Sequence, residues 1–265
     1  MSERRRGRAV SDVVAFTLMF GIILTSVGLV ATFGLAELNS FNEHQKIENA
    51  DRTFELIARS FDELEESQAT VRTEAIELGG SSITVEESSS LTVTVRDTDT
   101  GTTHTESFPL NTLQYEVDNR LIGYENGATY RVRTNADGGI INRDPGLVCS
   151  DGQAVLSLVT IRAEEDRYIS GSGTLRITGR LNDSSLLYPV SDTDVGNASA
   201  ADQVDLQFTF SGESRAREWA NHFDRAPGDW TVTSQTDTSV TVRCGASEDL
   251  DHVYVRRSII EVSYS

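Results

Sequence analysis

Residues Val13 to Ala36 form an unbroken run without a charged side chain. As an α-helix these 24 residues reach about 36 Å, more than the roughly 30 Å of hydrocarbon in a bilayer. The chain is therefore expected to cross a membrane once. Arg4, Arg5, Arg6 and Arg8 precede the run, and Glu37 and Glu43 follow it. The positive-inside rule then places the N-terminus in the cytoplasm and the rest of the chain outside the cell. A cleaved secretory signal has an apolar stretch of about 7 to 15 residues followed by a small-residue exit site. This run is longer, and Ala31-Thr32-Phe33 makes a poor exit site.

The remaining composition narrows the partners. Of 265 residues, 41 are acidic and 23 basic, a formal charge of -18. Neutralising phosphates needs clustered Lys and Arg, so a nucleic-acid partner is not expected. Lys46 is the only lysine, the other basic residues being arginines. An acid-rich, lysine-poor surface suits molar salt, where screening removes most of the self-repulsion. The composition reads as halophilic, with an ordinary acidic exported protein as the alternative.

The stretch Arg8-Ala9-Val10-Ser11-Asp12-Val13-Val14, running straight into the apolar segment, resembles the class III signal of archaeal type IV pilins and pilin-like proteins, in its haloarchaeal form. The resemblance covers about 60 residues and departs from many members at Asp12, where they carry proline. It implies that prepilin peptidase cuts between Ala9 and Val10, so that the mature protein keeps its whole helix. It also implies membrane lipid and other pilin subunits as partners, in a surface filament or a secretion or adhesion apparatus. The new α-amine at Val10 would need a counter-charge. Asp12, within a turn of it at the positive end of the helix, is the candidate; equally, Asp12 could simply mark the lipid headgroup boundary.

Within the span, Thr17, Gly21, Thr25, Gly28 and Thr32 recur at spacings of three and four. Small side chains on one face let helices approach closely in lipid, which is what pilin-type assembly uses, although membrane helices also tolerate Gly and Thr without any such role. The helical pattern continues past the span. Ile47, Ala50, Phe54, Ile57, Phe61 and Leu64 make an apolar stripe to lie on a soluble domain, a coiled coil being the alternative, and Glu48 with Arg52 and Glu55 with Arg59 are expected as i,i+4 pairs.

From about Thr70 the period changes to two. Ile76 and Leu78, Gly79-Gly80, then Ile83 and Val85 read as a hairpin, and further strands follow to Val262. One later helix is expected over Glu213 to Phe223, carrying Ala216, Trp219, Ala220 and Phe223 on one face. The fold class is thus α+β: a long N-terminal helix, transmembrane and then amphipathic, packed on a β-rich, sandwich-like domain with one short helix. The divisions are a basic leader (1–9), the helix (10–69) and an extracytoplasmic β-rich domain (70–265). The end of the chain, with Val253-Tyr254-Val255-Arg256-Arg257, also resembles an uncharacterised haloarchaeal pilin-like family, less specifically.

Catalytic motifs are missing: there is no Gly-x-Ser-x-Gly, no His-Glu-x-x-His, no phosphate loop and no dinucleotide fingerprint. His44, His104, His222 and His252 are isolated in sequence and lack metal-ligand spacing. Asp97-Thr98-Asp99-Thr100-Gly101 lacks the later ligands of a calcium loop and reads as a hairpin turn. No enzyme activity, cofactor or metal is expected. Cys149 and Cys244 are the only thiols and are expected outside the cell, either disulfide-bonded or separately buried. Asn182-Asp183-Ser184 and Asn197-Ala198-Ser199 are glycosylation sequons. The reading is a single-pass, pilin-like surface protein, a minor subunit by size. The alternative is an anchored binding module for a glycan or cell wall that never polymerises.

Overall fold

The computed structural model describes residues 6–66, 69–87, 89–133, 139–164, 168–190, 201–246 and 249–265. The chain divides into two compact units, residues 1–48 and 49–265, and the division falls inside the first helix, α1 (Arg6–Glu65). In the first unit Val13–Phe33 is apolar, exposed at every position, and long enough to cross a bilayer. In the second unit the stripe read from the sequence is buried: Ala50, Phe54, Ile57, Phe61 and Leu64 are each no more than 2% exposed.

The rest of the second unit is three sheets. Sheet A runs β1 (Val71–Glu77), β12 (Thr174–Tyr188), β16 (His252–Tyr264), β10 (Gln153–Ala163), β9 (Leu147–Ser150). Sheet B runs β11 (Tyr168–Ser170), β2 (Ser82–Glu86), β5 (Thr112–Val117), β6 (Arg120–Glu125), β7 (Ala128–Arg133), β8 (Gly139–Arg143). Sheet C runs β14 (Trp230–Gln235), β15 (Ser239–Cys244), β13 (Gln203–Phe210), β3 (Ser89–Asp97), β4 (Thr102–Pro109). β10 and β16 pair in parallel, and the other described pairs are antiparallel. The α+β class is the one expected; the body has three sheets where a sandwich of two was expected.

The final turns of α1 lie against sheets A and B. A Cβ at Gly179 on β12 would sit 2.5 Å from Phe61 Cε1, so helix and strand meet with no room for a side chain. The Phe61 ring makes an edge contact with Tyr124 of β6, centroids 5.1 Å apart. Around this apolar contact, helix carboxylates meet strand donors. Asp51 accepts from Arg131 at 2.6 Å, Glu55 from Thr129 at 2.9 Å, and Asp62 and Glu63 from Arg143 and Arg72. Glu55 also lies 3.9 Å from Arg143, so the carboxylate expected to pair with Arg59 along the helix is engaged by the body.

The expected hairpin of Ile76 to Val85 does not form. β1 pairs with β12 in sheet A, whereas β2 pairs with β5 and β11 in sheet B. Gly79 and Gly80 both have positive φ (55° and 92°), as a hairpin turn requires, but their backbone serves a change of sheet. The Gly80 N–H donates to Gly171 and the Leu78 N–H to Gly173. The segment from Leu110 to Glu125, not read as strand from the sequence, supplies β5 and β6. Its signal was present: Asn126-Gly127, both at positive φ (48° and 82°), is the favoured two-residue hairpin turn and joins β6 to β7.

α2 (Glu213–Phe223) spans the residues expected of it. Gly212 starts it in extended conformation with no side-chain cap, so burial of its apolar face holds it. Trp219 stacks on Phe208 at 4.6 Å and lies 5.9 Å from Phe223. Together they join the inner face of sheet C to Leu156 and Val255 of sheet A in one continuous core.

Candidate functional site

The N-terminal end of α1 carries the features the sequence singled out. Arg8, Ala9, Val10 and Asp12 are in helical backbone, and their side chains lie outside the described ones. Thr25 and Thr32 donate their hydroxyls to the carbonyls of Gly21 and Gly28, each at 2.7 Å, and Thr17 donates to Val13. These bonds satisfy the hydroxyls within the helix, as a lipid environment demands. A Cβ at Gly21 or Gly28 meets nothing within 4 Å, so the glycines leave an open strip on the exposed surface.

The body presents a second surface, the outer face of sheet C. Alternation along each strand buries Val204, Leu206 and Phe208 and turns the intervening residues outward. Register then aligns the outward residues in rows across all five strands. One row is Thr231, Arg243, Asp205, Thr94, Thr105. The next is Ser234, Thr241, Gln207, Thr92, Ser107. The flanking rows are Gln203, Arg96, Thr103 and Ser239, Thr209, Ser90, Pro109. Hydroxyls bond between strands: Thr92 with Ser107 at 2.7 Å, and Thr105 to Thr94 at 3.2 Å.

Three charges stand in this hydroxyl field. Arg243 donates Nε to Asp205 Oδ1 at 2.6 Å and Nη2 to Oδ2 at 3.0 Å, while Arg96 donates Nη2 and Nε to Oδ2 at 3.0 and 3.2 Å. Burial pushes the Asp205 carboxyl up, but the two guanidiniums outweigh it and hold it below the ordinary carboxylate range. The arginine side chains remain 38% and 32% exposed.

Two polar cavities flank α1 and α2. One, of about 220 Å³, is lined by Gly139, Asp144, Glu218, His222 and Arg225. His222 Nδ1 is 3.6 Å from Asp144 Oδ1, so this histidine, isolated in sequence, has a carboxylate beside it in space. Burial lowers its pKa. Glu218 accepts the Gly139 N–H at 2.6 Å. The other, of about 310 Å³, is lined by Asp62, Glu65, Arg143, Ser157 and Arg256. Burial pushes Glu65 up to about 7, against a 2.6 Å hydrogen bond from Ser157 and the Arg256 charge at 3.7 Å. Among the described residues, no three His, Cys, Asp or Glu side chains converge as a metal site.

Cys149 of β9 and Cys244 of β15 form a disulfide, Cα atoms 5.8 Å apart. Asn182 is exposed at a β-bulge of β12, its amide donating to Glu261 at 2.8 Å. Asn197 lies outside the described residues. Asp97 to Gly101 form the β3–β4 turn, with Asp97 Oδ1 accepting the Thr100 N–H at 2.9 Å. The cluster of Arg96, Asp205 and Arg243 escaped the sequence reading, because nothing local marks residues that register alone brings together.

Comparison with curated proteins finds no match. Among solved structures, the crystal structure of the ywiB protein from Bacillus subtilis is 7% identical with a TM-score of 0.15, over 67% of this chain and 93% of that one. One family model covers nearly the whole chain, residues 8–263, and the protein belongs to that family, a family of unknown function (DUF7289).

Proposed function

We propose that the protein is a type IV pilin-like surface protein. It is anchored by the N-terminal part of α1 and processed between Ala9 and Val10, and its β-rich body lies outside the cell. The observation that carries this reading is the Arg8-Ala9-Val10-Ser11 motif placed directly before a helix whose whole apolar segment, Val13–Phe33, is exposed. A soluble protein would leave that surface in water. A signal removed behind the apolar segment would discard the part of α1 that carries the Thr and Gly stripe. Cleavage ahead of the segment keeps α1 intact, and the open strip at Gly21 and Gly28 supports assembly with other subunits through it. The acid-rich, lysine-poor composition supports a halophilic source, and an archaeal one is what the resemblance of the leader implies. The reading assigns the chain no catalytic step, cofactor or nucleic-acid partner.

Intact-mass measurement of the protein from membranes tests it. Loss of residues 1–9 is expected, and Ala9→Trp should leave the precursor uncut. A mature chain that starts at Met1 or after residue 36 overturns the reading.

A further inference from the structure

We propose that the outer face of sheet C binds an anionic polysaccharide, a polyhydroxylated chain carrying carboxylate or sulfate groups, laid across the strands along the row that holds Arg243 and Asp205. This goes beyond the pilin-like reading and does not depend on leader cleavage or assembly.

Charge favours a polyanion on this face. Exposed strand positions elsewhere mix the two signs, with Glu77 of β1, Glu86 of β2 and Glu116 of β5 beside Arg176 and Arg180 of β12. The outward rows of sheet C carry only Asp205, and two arginines outnumber it, so the face is +1 on a chain of -18. Strand propensity accounts for the threonines, but not for the missing carboxylates. In molar salt, which screens longer-range repulsion, the discrimination is at contact: here a polyanion meets two guanidinium groups and one carboxylate that they already bind.

The charged groups are also preorganised. Asp205 binds the Nε and Nη2 atoms of Arg243 and of Arg96. It fixes both guanidinium planes beside the sheet and leaves the remaining donors to an incoming oxyanion. A guanidinium held in place loses little side-chain freedom on binding, and its fork matches carboxylate and sulfate oxygens. The surrounding hydroxyls and Gln207 both donate and accept, which suits sugar hydroxyls.

The dimensions of the face and the charges at its borders set the size and direction of what it can hold. Five strands and four outward rows make a face of about 19 by 20 Å, roughly 400 Å². That is about half the 800 Å² per partner of a stable protein interface, so a second copy of this chain is poorly served, whereas a few sugar units fit. Carboxylates crowd the loops at both ends of the strands, Asp99 and Asp202 at one end and Asp237 at the other. A polyanion running along the strands would meet them, and one crossing the strands would not.

The test is fluorescence anisotropy of labelled alginate, dextran sulfate and neutral dextran oligomers against the full-length protein in nanodiscs at molar KCl, with empty nanodiscs as control. Saturable binding of alginate or dextran sulfate is expected, and which of them binds identifies the anion. Neutral dextran should bind at least tenfold more weakly. Arg96→Gln with Arg243→Gln should weaken binding at least tenfold. That pair also strips Asp205 of its partners, so Thr105→Glu with Thr231→Glu, which keep both arginines and stand exposed on the two edge strands of the same row, should give the same loss in a protein whose melting temperature stays above that of the double arginine variant. Binding of neither anionic oligomer, equal binding of neutral dextran, retention of binding in the Thr105→Glu, Thr231→Glu variant, or self-association that this variant abolishes would each overturn the proposal.

Discussion

Cys149 and Cys244 bond sheet A to sheet C, tying β9 to β15 across a sequence separation of 95. The backbone packs closely around the link: Asp229 donates its N–H to the Cys149 carbonyl at 2.7 Å, and Trp230 pairs with Cys244. Closing a loop of that length removes unfolded-state entropy equivalent to about 4 to 5 kcal/mol in the chain-entropy model. Non-reducing peptide mapping should recover one Cys149–Cys244 peptide. Reduction should lower Tm by on the order of 10 °C at constant salt, with the far-UV spectrum largely kept. Full alkylation of both thiols without reductant would show that the bond does not form.

Glu65 makes stability depend on pH near neutrality. Burial penalises its ionised form, so the folded protein keeps the proton up to about pH 7, whereas the unfolded chain releases it near the ordinary 4.5. Between these values the folded state binds more protons, and stability therefore falls as pH rises through the window. The contribution is present below pH 4.5 and lost above about 7, on the order of 3 kcal/mol in all. Burial also raises Asp51, Asp62 and Glu218, so the difference between wild type and Glu65→Gln isolates this residue. Denaturant titrations at fixed salt should show Glu65→Gln gaining on wild type as pH rises from 5 to 8. Parallel pH profiles would exclude Glu65 as the cause.

Gly179 is where α1 and β12 leave no space. Its added methyl would lie 2.5 and 3.1 Å from two Phe61 ring carbons and 3.3 Å from Leu64. Phe61 is only 2% exposed, so the ring has nowhere to turn. Gly179→Ala should cost about 1 to 3 kcal/mol by overpacking, seen as a lower midpoint in urea. Adding Phe61→Leu should make the pair less damaging than the sum of the two single changes; strict additivity would mean that the helix does not seat on β12.

Substitution of Gly21 and Gly28 tests whether the exposed stripe serves assembly as well as anchoring. Since a Cβ at either position meets nothing in the protein itself, leucine at both should insert and fold as wild type does. Any loss must then come from a neighbouring helix that can no longer approach. Crosslinking in intact cells at native salt should give oligomers for wild type and monomer for Gly21→Leu, Gly28→Leu. Identical ladders for both would remove the stripe from any role in association.

What the sequence determined alone is local. The run Val13 to Ala36 can only be a long apolar helix, the stripe from Ala50 to Leu64 has one face to bury, and Ala216, Trp219 and Phe223 mark α2, because each signal lies within a few turns of chain. Pairing over distance was decided by the tertiary structure. Gly79-Gly80 has the chemistry of a hairpin turn, yet β1 and β2 find better partners in different sheets, and nothing within ten residues distinguishes the two outcomes. The presence of two cysteines left bonding open until β9 and β15 came together. The polar face of sheet C divides in the same way. Alternation along β3, β13 and β15 makes their outward residues legible one strand at a time. Arg96 and Arg243, 109 and 38 residues from Asp205, meet it only because antiparallel register places all three on neighbouring strands facing outward. Register is selected by burial of the opposite face, a property of the whole core rather than of any segment.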